Sequence, residues 1–88
     1  MTTADDAEPL GLPRLIAVET DADSGAPLRL RRHGRTLAVL SVQEAWRIDD
    51  EWWRQPIARH YYQIECSGGV LITIFRDGIT QTWWEQRA

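Results

Sequence analysis

Lysine is absent from this chain of 88 residues, and cysteine occurs once. With Cys66 alone, no intramolecular disulfide can form, which excludes a secreted scaffold stapled by disulfides. No apolar run approaches the roughly 20 residues a membrane-spanning helix needs. The opening MTTADDAEPLGLPR is acidic and carries no apolar core, so it does not read as a signal peptide. A protein of the bacterial-type cytoplasm with no membrane partner is expected. The CxxC, HxxxH and HExxH spacings are missing as well. His33, His60 and Cys66 are therefore not expected to hold a metal. There is no glycine-rich phosphate loop, and Ser24, Ser41 and Ser67 lack the His and Asp context of a nucleophile. The expectation is a protein without cofactor, metal or catalytic activity.

Aromatic residues are present in force: five Trp, two Tyr and one Phe. A chain of this length forms one domain and buries only ~60 to 65% of the surface its unfolded form exposes, so large rings must supply much of the core. The net charge of −3 is unevenly spread. Residues 1–26 carry six acids (Asp5, Asp6, Glu8, Glu19, Asp21 and Asp23) against Arg14, a balance of −5. Residues 27–88 carry nine arginines against seven acids, a balance of +2. Every basic residue is Arg, which fits the codon bias of a GC-rich genome. It also fits a use for the flat guanidinium fork on phosphates, carboxylates or aromatic faces.

The texture divides the chain into an acidic, largely flexible leader over 1–26, with a short edge strand at 14–20, and a β-rich domain over 27–88. Leu28 and Leu30 alternate with Arg29 and Arg31, and His33-Gly34 supplies a turn into RTLAVLSVQEAWRI. There Ala38, Leu40, Val42, Trp46 and Ile48 share one parity that Glu44 interrupts, which predicts a bulge near Gln43-Glu44. DDEWWRQP reads as one helical turn, capped by Asp49 or Asp50 and ended before Pro56. In ARHYYQIEC the face carrying Ile64 and Cys66 should point inward. VLITIF is apolar on both parities and reads as the most buried strand, and Asp77-Gly78 predicts a type I′ hairpin into the last strand. The sum is an all-β, five-stranded SH3-like or OB-like barrel with one short helical turn. Its expected core is Leu40, Val42, Trp46, Ile48, Ile64, Ile72, Ile74 and Trp83.

Arg and aromatic residues interleave on this barrel, a combination that suits a docking surface or a single-stranded nucleic-acid surface. The candidates are Arg47, Trp52, Trp53, Arg54, Arg59, Tyr61, Arg76 and Trp84. Asp49, Asp50 and Glu51 form a carboxylate cluster that reads as a capped, solvated turn.

The series RRHGRTLAVLSV, then WR-x-D-x-x-WWR (Trp46, Arg47, Asp49, Trp52, Trp53, Arg54), then Tyr61-Tyr62, then Phe75-Arg76-Asp77 and a terminal Trp carries a resemblance. It resembles a small uncharacterised bacterial domain found at the C-terminus of, or beside, Y-family DNA polymerase-like proteins of mutagenesis cassettes. The match covers about residues 27 to 87. Two features differ from the family pattern: an acidic leader stands where a polymerase body would precede, and the last hairpin is shorter. The resemblance implies a non-catalytic accessory module of translesion DNA synthesis. It would act in trans by docking onto the polymerase-like protein or by binding single-stranded DNA weakly.

Overall fold

The computed structural model describes residues 12–52 and 55–86. Six strands account for most of them: β1 (Arg14–Thr20), β2 (Pro27–Arg32), β3 (Arg35–Trp52), β4 (Gln55–Cys66), β5 (Val70–Asp77) and β6 (Thr82–Glu85). Each pairs antiparallel with the next in the chain, and β1 returns to pair with β6, closing a barrel. The all-β barrel expected from the sequence is thus present, with six strands in place of five. The sixth is β1. It is not a strand appended at an edge, because it pairs with β2 on one side and β6 on the other. The barrel therefore begins at Arg14, not at residue 27, and residues 1–11 of the acidic leader lie outside the described residues.

The expected helical turn at DDEWWRQP is also corrected, and there is no helix among the described residues. Asp49 and Asp50 continue β3, opposite Ala58 and Ile57 of β4, and the ladder runs on to Trp52 opposite Gln55. Pro56 sits in β4 opposite Glu51. The extended backbone that proline imposes on its neighbour serves a strand here as readily as it would end a helix.

Turn chemistry sets the register. His33 and Gly34 both take positive φ, 52° and 74°, the two left-handed positions a type I′ turn demands between β2 and β3. The β5–β6 connection departs from the Asp-Gly turn expected. Its positive φ falls at Gln81 (63°), and Asp77 closes the loop through its side chain. Asp77 Oδ1 accepts the N–H groups of Ile79 (2.8 Å) and Thr80 (3.1 Å), an Asx arrangement. Gly78 N–H meanwhile donates to Ala58 O at 2.7 Å, extending the β4 ladder.

The core inside the barrel consists of Ile16, Leu30, Ile64, Cys66, Ile72, Ile74 and Trp83, with Val18, Leu37, Val39 and Tyr62 packed against it. Ile64, Ile72, Ile74 and Trp83 are buried as expected, and Cys66 is 0% exposed. Leu40, Val42, Trp46 and Ile48 are not core residues: they are 61%, 42%, 38% and 41% exposed. The register of β3 shows why: the inward side belongs to the parity of Leu37 and Val39, opposite the buried Leu30 and Cys66, and not to that of Trp46 and Ile48. Register shifts between Val39 and Ser41 and again between Val42 and Glu44 leave Leu40 and Gln43 as extra residues. Each extra residue reverses which parity faces inward. Val39 lies opposite the buried Cys66, Val42 opposite the buried Ile64, and Ala45 opposite Tyr62. The two reversals cancel, so Trp46 and Ile48 fall on the outer face, whereas Val42, between the bulges, is on the inward side and is exposed because the pairing with β2 ends at Ala38. Gln43-Glu44 was a legible bulge site, whereas the bulge at Leu40 left no mark in the pattern.

Candidate functional site

The length of β3 creates the most exposed feature. Its pairing with β2 spans only Arg35 to Ala38, while its pairing with β4 runs from Val39 to Trp52. Among the described residues, no strand pairs with the far side of β3 beyond Ala38. That edge presents backbone donors and acceptors ready to take another strand. The two bulges, together with Glu44, Arg47 and Asp49 along it, are the devices by which such edges resist indiscriminate pairing. Leu40, Val42, Trp46 and Ile48, all exposed, lie on this same strand.

Beside the edge, a row of apolar side chains crosses the outer face of the sheet. Trp46 lies opposite Tyr61, Tyr61 opposite Phe75, Phe75 opposite Trp84, and Trp84 opposite Leu15. The Trp46 and Tyr61 rings stack with centroids 5.3 Å apart and planes 3° apart. Tyr61 and Phe75 meet at 4.9 Å and 40°. The Arg59 guanidinium sits 4.6 Å above the Phe75 ring and donates to the Tyr61 hydroxyl at 3.1 Å. With Arg59 and Tyr61 over it, Phe75 is only 1% exposed although it faces away from the barrel interior. Trp84 is half-buried and anchors its indole N–H on Thr82 Oγ1 at 2.9 Å. The row is thus a second, outer layer of packing that ends in the open at Trp46 and Leu15.

The sequence candidates divide between two faces. Arg59, Tyr61 and Trp84 belong to the outer row, where Tyr61 is buried and Arg59 is occupied by the rings. Arg47 and Arg76 lie on the inward-facing side, flanking His60 in register. Arg47 pairs with Asp49 at 3.2 Å on an exposed stretch. Trp53 and Arg54, and the side chain of Trp52, lie outside the described residues. Among the described residues the candidate arginines and aromatics are thus divided between the two faces of the sheet.

His60, considered above only as a metal ligand, belongs to a cluster that sequence reasoning missed. Its ring stacks on Tyr62 at 4.4 Å, and Tyr62 in turn meets Trp83 at 5.6 Å. Burial, helped by the Arg47 charge, holds His60 below its ordinary pKa, so the ring favours the neutral form. Burial raises the Tyr62 hydroxyl against the opposing pull of Arg76 and Arg47. Burial likewise raises the Cys66 thiol, which stays an inert core group. The alternation of His60, Tyr62 and Ile64 carried the signal for this cluster, but its partners come from strands distant in sequence. Comparison with family models, with curated proteins and with solved structures finds no match in any of the three.

Proposed function

We infer that this protein is a non-catalytic docking module that receives an extended segment of a partner protein along the free edge of β3. The observation that carries the reading is the coincidence of an unpaired strand edge with exposed Leu40, Val42, Trp46 and Ile48. Strand addition takes its affinity from main-chain hydrogen bonds and its specificity from pockets for alternate side chains. Trp46 and its neighbour Ile48 supply such an apolar surface on the outer face. SH3-like and OB-like barrels, the types expected from the sequence, present one sheet face and adjoining loops to their ligands, and this barrel is read as used in the same way. The resemblance to the domain accompanying Y-family polymerase-like proteins names the partner: the polymerase-like protein of a mutagenesis cassette, in translesion synthesis.

A binding titration by calorimetry against that polymerase-like protein tests the reading. Micromolar affinity that drops at least about tenfold in Ile48→Lys and in Trp46→Ala, both still folded, is the expected result. The second reading is weak binding of single-stranded DNA, favoured by Arg47 and Arg76 lying in register on one face. It replaces the first if the partner does not bind while an oligonucleotide quenches tryptophan fluorescence in a salt-dependent way that Arg47→Ala and Arg76→Ala weaken.

A further inference from the structure

Where β1 runs into β2, a cavity of about 450 Å³ opens at the barrel mouth. One wall is the connecting loop, with Asp21 and Ser24, and the other is made by His60, Tyr62, Arg76 and Trp83. The size lies within the range of small-molecule pockets, roughly 300 to 1,000 Å³. Its floor is aromatic: Tyr62 and Trp83 meet at 5.6 Å with planes tilted by 35°, and His60 stacks on Tyr62 at 4.4 Å.

Arg76 is the cation of this mouth. Its guanidinium donates to the neutral Gln81 Oε1 and forms no ion pair among the described residues. Of the neighbouring Asp77 carboxylate, Oδ1 accepts the amides of Ile79 and Thr80. Asp21 Oδ1 is likewise committed, accepting the N–H groups of Asp23 (2.8 Å) and Ser24 (3.0 Å). A guanidinium with donors left over, beside flat rings and with the nearby acids held by their own turns, fits a bidentate oxyanion on one side and a planar ring on the other.

We propose that the barrel mouth is a binding site for a small molecule made of a planar ring bearing one oxyanion, the ring against Tyr62 and Trp83 and the oxyanion on Arg76. The oxyanion is a phosphate or a carboxylate, which the guanidinium fork receives alike. This site is separate from the β3 edge, and its failure would leave the docking reading untouched. The test is a titration followed by the backbone amide shifts of Ser24 and Gly25, which report on the mouth alone. Adenosine monophosphate and indole-3-acetate represent the phosphate and the carboxylate source, with adenosine and inorganic phosphate as the separate halves. At least one of the first two should saturate the shifts with a dissociation constant on the order of 0.1 to 1 mM. The halves should bind at least about tenfold more weakly, and so should the whole ligand to Arg76→Gln. Arg76→Lys, which keeps the charge and loses the fork, should weaken binding several-fold and serves if Arg76→Gln does not fold. Absence of any shift up to about 10 mM of both ring oxyanions, or affinity unchanged in both Arg76 variants, overturns the proposal.

Discussion

Trp46 is 38% exposed and stacked on one ring, whereas Trp83 is 8% exposed and belongs to the barrel core. Trp83→Ala should cost about 3 to 5 kcal/mol, much of what a domain of this size possesses. Trp46→Ala should cost about 1 kcal/mol, the value of one stacked pair and some partial burial. Urea denaturation of both variants checks this ordering, and a loss at Trp46 as large as at Trp83 would return it to the core. His60 supplies a second prediction. Its pKa is depressed below the ordinary 6.5, by burial first and by the Arg47 charge second. The folded state binds fewer protons there than the unfolded one, so this contribution to stability is complete above about pH 6.5 and is lost as the pH falls from there toward the depressed folded value. His60→Gln should therefore show a shallower fall in melting temperature than the parent between about pH 7.5 and pH 5.5, where ordinary carboxylates remain ionised. Equal slopes would contradict it. At this scale the sequence was legible where alternation ran undisturbed: Ile64 and Cys66 were recognisable as inward residues from their own strand, whereas VLITIF, apolar on both parities, read as buried throughout and yet leaves Val70 and Leu71 exposed. The cover that buries Phe75 on the outer face, Arg59 and Tyr61, was not legible, because it comes from another strand.

Among the elements, β1 and β3 carry the lesson about what a linear pattern conveys. RLIAVET suggested a strand, and a strand forms. Its role as the closing stave depends on β6, some seventy positions away, and on the meeting of Arg32 with Glu85 at 2.8 and 3.1 Å, half-buried, across the strand between them. A chain truncated to residues 27–88 would lose β1, the partner of both β2 and β6, and leave two edges open. It should show no cooperative unfolding transition, whereas truncation to residues 12–88 should keep one, as circular dichroism during heating would report. A folded 27–88 fragment would contradict the closed barrel. In β3 the periodicity itself misled. A bulge is one residue without a partner and two of them cancel, so the parity inward at Leu37 and Val39 is inward again at Ala45 and Arg47; the apolar residues were concentrated on the other parity, and Trp46 and Ile48 read as core. The loop at Asp77 misled through competing chemistry, because an aspartate that can hold two amides with its side chain has no need of the tight turn that Asp-Gly otherwise favours.

For the molecule as a whole, the barrel is closed, but its longest strand continues beyond the strand that flanks it. Among the described residues that mismatch between β2 and β3 leaves a long edge of β3 without a partner, and the docking reading rests on it. Native-state hydrogen exchange, read amide by amide on the isolated protein, tests this directly, because exchange follows the local opening of each hydrogen bond. Amides of β4 from Tyr61 to Cys66 and of β5 from Ile74 to Arg76, with partners on both sides, should be protected near the global unfolding free energy. Along β3 from Gln43 to Asp49, alternate amides, those turned away from β4, should exchange rapidly. Uniform protection along that stretch would mean that another segment already occupies the edge, and would contradict the account.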